Sequence, residues 1–134
     1  MKYLALMAFA FSLSSCASTL ISHRMKAAQR KLLETQRLQH AGQWDEARAM
    51  SVRLYASVSK SIESRPVQPG AGGTTVDLRP LLTAWGKGPY AELQMALTKR
   101  DKAGATAALT SLRQQCVNCH VVLGKTQILI PEIR

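Results

Sequence analysis

The sequence predicts an all-α fold, a four-helix up-and-down bundle. Apolar residues recur at spacings of three and four along four segments, which is the period of helices with one buried face. No period-2 run of β-branched residues follows the first 15 residues. A Pro- and Gly-rich stretch at residues 67–76 separates the second segment from the third, and it is long enough to cross one end of a bundle.

The first two segments are predicted as helices over residues 22–41 and 44–65. Gly42 suits the position just after the end of the first helix, and Pro66 requires the second to stop before it. The apolar stripes that define these helices are Ile21, Met25, Ala28 and Leu32 in the first, and Ala47, Met50, Leu54, Val58 and Ile62 in the second.

The third segment is predicted in two pieces and the fourth as one long helix. Residues 77–85 form the first piece, residues 86–89 (Gly-Lys-Gly-Pro) interrupt it, and Pro89 is suited to the first turn of a new helix. The fourth helix is predicted over residues 101–123 and has the most regular stripe in the chain. That stripe consists of Ala105, Leu109, Leu112, Cys116, Cys119 and Leu123.

The amino terminus has the pattern of an export signal. Lys2 precedes an apolar run at residues 3–13, which is too short for a permanent membrane span. The run ends in Leu-Ser-Ser-Cys, which resembles a bacterial lipobox and predicts a signal over residues 1–15 and lipidation of Cys16. An ordinary signal peptidase site, with Cys16 lost or free, is the alternative. Ala17 after the cysteine favours the outer membrane, by resemblance to Gram-negative lipoproteins.

Composition limits what the exported chain, residues 16–134, does. It is long enough for one domain with one core. The formal net charge is +10 for the full chain and +9 once Lys2 is removed with the signal, which suggests an acidic partner or anionic lipid, although a charged surface also serves solubility. Nucleic acid is not expected, because aromatic residues are not interleaved with the basic ones. No Ser/His/Asp arrangement or acid pair suggests an enzyme.

A five-residue motif near the carboxyl terminus carries the chemistry. Cys116-Val117-Asn118-Cys119-His120 is C-x-x-C-H, the attachment site for a c-type haem. At about 100° per helical residue, both cysteines and the histidine fall within an arc of about 100°. Two thioethers to one covalent haem c and a proximal iron ligand at His120 are therefore predicted.

Other chemistry is compatible with two nearby cysteines. A thioredoxin-like pair would open a helix after a strand, and no strand precedes this motif. Zinc would need two more ligands, and His23 and His40 are distant in sequence. A disulfide between Cys116 and Cys119 remains an alternative.

The placement of C-x-x-C-H at the end of the last of four helices resembles that in the cytochrome c′ family, the class II c-type cytochromes. The similarity covers most of residues 16–134, with the turn at Gly42, the Pro/Gly loop, and Pro80 with Trp85 as further points of likeness. The resemblance implies a four-helix bundle around one haem, and a homodimer as one assembly state.

The resemblance also implies where the second face of the iron lies. In this family the first helix passes over the distal face, and counting back from Gly42 places Met25 or Lys26 there. Met25 as a distal iron ligand would suit electron transfer, because thioether ligation stabilises ferrous iron. An open distal site, with Met25 only a core residue, and ligation by His23 are the alternatives.

The expected function is electron transfer by a cytochrome held on the periplasmic side of a bacterial membrane through lipid on Cys16. Its partner would be an acidic redox protein. Five-coordinate iron that binds nitric oxide or carbon monoxide is a second expectation, and a haem-free structural lipoprotein is a third.

Overall fold

A computed structural model describes the backbone of residues 2–134 and the side chains of residues 19–134. The elements, in chain order, are α1 (Lys2–His40), α2 (Trp44–Ser64), β1 (Val67–Pro69), β2 (Thr75–Asp77), α3 (Arg79–Trp85), α4 (Ala91–Thr98) and α5 (Lys102–Val122). The prediction of an all-α bundle is confirmed, with one small sheet added to it.

The helices form four rods that alternate in direction. A tight turn at residues 41–43 reverses the chain between α1 and α2, and α3 with α4 form the third rod. The amide nitrogen of Gln39 donates to the carbonyl of Lys102 at 3.3 Å, so the end of α1 meets the start of α5. The last two turns of α5 consequently lie at the opposite end of the bundle, beside the sheet.

The core is built from small and branched aliphatic residues of every rod. Leu54, Leu93, Leu97, Leu109 and Leu112 are at most 2% exposed. Of these, Leu54, Leu109 and Leu112 come from the predicted stripes, since a helix with apolar residues every three or four positions buries one face. Trp85 is the one buried aromatic residue among the described side chains, and it stacks with Tyr55 and Tyr90.

The first helix is longer than the predicted residues 22–41. It begins at Lys2, because no glycine or proline occurs between Lys2 and His40 and the apolar segment favours a helix. The predicted lipobox at residues 13–16 lies outside the residues with described side chains. Over the described part of the chain, no helix is both long and apolar enough to cross a bilayer.

Residues 67–76 were predicted as a loop, and this prediction was wrong in part. β1 and β2 pair antiparallel, with Val67 opposite Asp77 and Pro69 opposite Thr75. Pro69 has no N–H to donate, which is tolerated because each strand of a two-stranded sheet is an edge strand. A Cβ on Gly70 would lie 3.2 Å from the carbonyl oxygen of Val122, so glycine allows the hairpin to sit against the end of α5.

The predicted break in the third rod is present. Residues 86–90 form a single π-helical turn, and Gly88 leaves helical geometry with φ −94° and ψ −109°. Pro89 accounts for the break, because it lacks the N–H that a continuous helix would use. The new helix begins at Ala91.

The carboxyl-terminal residues beyond α5 form an extended tail across the bundle. Arg113 donates to the carbonyl oxygens of Ile130 and Pro131, at 3.0 and 2.8 Å. The side-chain amide of Gln29 donates to the carbonyl of Leu129 at 2.9 Å. The tail therefore runs along the seam between α1 and α5, away from the sheet and toward the end of the bundle that holds the α1–α2 turn.

Candidate haem-attachment site

Cys116, Cys119 and His120 lie in the last two turns of α5, on the face that is buried in the earlier turns of the helix. Ala105, Leu109 and Leu112 on this face are fully buried, whereas Cys116 and Cys119 are partly buried and unpaired. The inward face of α5 is thus partly exposed at the end of the bundle that carries the sheet. The helical register places both thiols and the imidazole on one side, as the sequence predicted.

A well-formed cap holds the end of this helix. Gly124 adopts φ +68°, and its N–H donates to Val121 while the N–H of Lys125 donates to the carbonyl of His120 at 2.7 Å. These two bonds are the Schellman arrangement, which needs a left-handed residue at the position of Gly124. The backbone at His120 is therefore fixed by a hydrogen bond just beyond the motif. Gly124 is the sequence signal for this cap.

Both thiols are kept in their neutral form by their surroundings. Burial raises the pKa of Cys116 to about 12, and the nearby Cys119 thiol adds to the increase. Burial also raises the pKa of Cys119, against a smaller opposing effect from Lys125. Reactive dithiols have lowered pKa values at helix amino termini, and here the pair lies at a carboxyl-terminal end. The site therefore does not have the electrostatics of a thioredoxin-like pair.

His120 is held neutral as well. Burial lowers its pKa, and the positive charge of Lys125 lowers it further. Its Nδ1 atom is buried and has no hydrogen-bond partner. A neutral imidazole is the form that binds a metal, and a buried ring nitrogen without a partner costs free energy unless a further group satisfies the ring.

These features fit a c-type haem. The donor set is two sulfurs one helical turn apart and an adjacent neutral imidazole, which matches two thioethers and one axial ligand. When iron is bound by one ring nitrogen, the other usually donates a hydrogen bond to a nearby oxygen. Trp85 also has a buried ring N–H without a partner, and it lies in the rod next to α5. Two unsatisfied ring nitrogens thus belong to adjacent rods.

Helical register places Met25 level with the motif. Counting 14 residues back from Gln39 in α1 and 14 forward from Lys102 in α5 reaches Met25 and Cys116, each about 21 Å along its helix. Met25 is partly buried, and Gln29, one turn further on the same face, contacts the tail along the α1–α5 seam. Met25 therefore shares a face of α1 with a residue that contacts the tail in this seam.

The other candidates on α1 lie elsewhere. His23 and Lys26 are exposed, and at about 100° per residue they point well away from the face of Met25. Of the predicted distal residues, Met25 is the one whose position matches the motif.

Two features near the site were not predicted from the sequence. The tail brings Ile130 and Ile133 against the core, and the apolar run at residues 128–131 was the signal for it. The rings of Tyr55 and Tyr90 stack with centroids 4.5 Å apart, beside Trp85. Aromatic residues so far apart in sequence have no local pattern that announces their contact.

Comparison with protein-family models, with curated proteins and with solved structures finds no match for the chain. Among the described residues, no group of three or more His, Cys, Asp or Glu side chains is arranged to hold a metal ion. The site is therefore defined by its motif, its geometry and its electrostatics.

Proposed function

We propose that the chain is a class II-like c-type cytochrome that carries one covalent haem and transfers electrons. Cys116 and Cys119 would hold the haem by thioether bonds, and His120 would bind the iron. When bound, haem iron supplies a site that gains and loses one electron. The residues around it hold the imidazole neutral and keep water away from the buried side of the motif.

One observation carries this proposal. The two cysteines and the histidine of the C-x-x-C-H motif lie on the inward side of α5, and the histidine has a buried ring nitrogen with no partner. A disulfide between Cys116 and Cys119 would give the adjacent neutral imidazole no role, and a reactive dithiol would need a thiolate that the burial of Cys116 opposes. A covalent haem accounts for all three side chains together.

The cellular place of the protein is part of the same proposal. The signal-like residues 1–15 would export the chain to the periplasmic side of a bacterial membrane, with the outer membrane favoured. Lipid on Cys16 would hold it there. Export and haem agree with each other, since c-type haem is attached outside the cytoplasm.

Haem attachment is tested by producing the full chain in a bacterium that matures c-type cytochromes. We expect the denatured protein to retain haem on a gel and to show one covalently bound haem in its intact mass. Because each thioether needs its own sulfur, Cys116→Ser and Cys119→Ser should each reduce retained haem, and the double variant should abolish it.

Asn118→Ala is the matched control for this experiment. Asn118 is exposed and lies between the two cysteines, where its only described side-chain bond joins it to Gln114. It should retain haem at the wild-type level. A wild-type chain without covalent haem, produced beside a control cytochrome that matures normally, would contradict the proposal.

The second face of the iron separates electron transfer from gas binding. If Met25 binds the iron, the absorption spectrum should be six-coordinate and low-spin, and Met25→Ala should convert it to high-spin with ready binding of carbon monoxide. Lys26→Ala, the neighbouring exposed residue, should leave the spectrum unchanged. A wild-type spectrum that is already high-spin and binds carbon monoxide would favour the gas-binding function.

A further inference from the structure

A basic groove follows the outer seam between α1 and α2. It is a cavity of about 260 Å³ lined by Arg24, Lys31, Arg53, Ala56, Ser57 and Lys60. Four of the six lining side chains are cationic and none is acidic. This concentration of positive charge is unfavourable unless an anion is present, because like charges close together repel.

The cations of the groove have no acidic partner among the described side chains. The ion pairs among the described side chains join Glu34 to Arg37 and Asp77 to Arg79. Both pairs lie outside the groove. Two of the groove cations are positioned by neutral groups. Arg24 donates to the carbonyl of Lys60, and the ammonium of Lys31 donates to the hydroxyl of Ser57 at 2.6 Å. Their charge therefore remains available to a ligand.

The groove faces away from the haem-attachment motif. On α2, Arg53, Ala56 and Lys60 lie more than about 90° around the helix from the fully buried Leu54. The motif is on α5, on the inner side of the bundle. The groove is therefore an external surface and not a continuation of the haem site.

The groove shares a stripe of α1 with the predicted site of lipidation. At about 100° per residue, positions 16, 20, 24, 27 and 31 fall within an arc of about 80°. Leu20, which is 48% exposed, occupies the position between Cys16 and Arg24. The anchor position, an exposed apolar side chain and the groove cations thus follow one another along one side of α1.

Distances along α1 decide how this side can meet a membrane. Arg24 and Lys31 lie about 12 and 22 Å along the helix from Cys16. The headgroup layer on each side of a bilayer is only about 5–7 Å thick. If α1 stood upright, both cations would be held above the headgroups. Both Arg24 and Lys31 can reach the headgroups when α1 lies along the surface.

We propose that the basic groove docks on phosphate groups of the lipid headgroups, so that α1 and α2 lie flat on the bilayer. The proposal rests on the proposed lipidation of Cys16. Arginine and lysine are suited to this ligand, since guanidinium groups bind phosphate through two parallel hydrogen bonds and ammonium groups bind it as point charges. The haem-bearing α5 then faces away from the membrane, toward a redox partner.

Lysine footprinting of the wild-type mature lipoprotein tests this orientation. The protein is mixed with vesicles of phosphatidylethanolamine and phosphatidylglycerol, acetylated briefly, and analysed by mass spectrometry. We expect Lys31 and Lys60 to be protected and the exposed Lys99 and Lys102 to be labelled as in solution. The same spectrum reports the acyl mass on Cys16, so a failure of lipidation is seen separately from a failure of docking.

Two arginine variants leave the lysine reporters in place. In Arg24→Gln/Arg53→Gln, protection of Lys31 and Lys60 should fall on the order of tenfold, as expected for the loss of two cations near a lipid surface. The matched Arg48→Gln/Arg100→Gln variant removes the same charge from exposed positions outside the groove, and its protection should be unchanged.

Three results would overturn the proposal. One is equal labelling of Lys31 and Lys60 with and without vesicles. Another is equal protection of all four lysines, which indicates unspecific adsorption. The third is full protection by inorganic phosphate or by polyglutamate when vesicles give none, which would assign the groove to a small anion or to an acidic protein.

Discussion

The folded protein surrounds the thiol of Cys116 and suppresses its reactivity. Its thiol is surrounded by enough protein to raise its pKa to about 12, although the residue as a whole keeps some exposed surface. A thiol in this state reacts slowly, because the thiolate is the nucleophile. We infer that haem would be attached before the end of α5 packs into the bundle, while the thiols are still accessible.

We expect iodoacetamide to alkylate Cys116 in the folded, haem-free protein roughly a thousandfold more slowly at pH 8 than in the urea-unfolded chain. This factor follows from a pKa of about 12 in place of the ordinary 9.0. Peptide mass spectrometry measures both rates, and Cys119 provides an internal comparison. Equal rates for Cys116 in the folded and unfolded chains would contradict the burial of the thiol.

The same pKa shift sets the direction of one pH effect. The fold favours the neutral thiol, so its contribution to the free energy of unfolding is complete below pH 9, the ordinary pKa. As the pH rises from 9 toward 12, the unfolded chain ionises first and this contribution is lost.

At the scale of elements, each end of α5 is held by a different device. Asp101 caps the amino terminus, where its carboxylate accepts from the N–H of Gly104 at 3.0 Å. A Cβ on Gly104 would collide with this carboxylate, so the glycine makes room for the cap. The Schellman turn at Gly124 holds the other end, beside the haem-attachment motif. Together they position the motif relative to the core.

Asp101→Ala should lower the free energy of unfolding by about 1 kcal/mol, because an N–H of the first turn loses its acceptor. Urea unfolding followed by circular dichroism measures the change. Asp101→Asn keeps an acceptor at the same position and serves as the control, with a loss well below that of the alanine variant. If both variants lost the same amount, the capping role would be wrong.

At the scale of the whole molecule, the tail closes the seam between the first and last helices. Arg113 binds two of its carbonyl oxygens, and Ile130 and Ile133 pack on the core. These contacts bring the tail, which is distant in sequence from α1, next to the face of α1 that carries Met25 and Gln29. The tail therefore contributes to excluding water from the side of the bundle where a haem would face α1.

Arg113→Met should release the tail while keeping the aliphatic stem of the side chain packed. Hydrogen bonds to a charged donor contribute about 1.5–3 kcal/mol, so we expect carboxypeptidase to remove the last residues at least about tenfold faster. Arg100→Met, at an exposed position whose side chain makes no described bond, is the control. Equal trimming of the two variants would show that Arg113 does not hold the tail.

The sequence by itself determined the helical segments, the buried face of α5 and the spacing of the C-x-x-C-H motif, because each depends on residues close together in the chain. Periodicity placed Leu109, Leu112 and Cys116 on one face, and the structure agrees. The hairpin at residues 67–77 was missed, since three-residue strands in a Pro- and Gly-rich stretch give no periodic signal.

Only the tertiary structure decided which distant residues meet. The level of Met25 relative to the motif, the contacts of the tail with Arg113, and the basic groove between α1 and α2 all depend on how the rods are paired and staggered. Pairing of rods is a sum of many small contacts between positions far apart in the chain. No local pattern encodes it, whereas the spacing within C-x-x-C-H is local and could be interpreted directly.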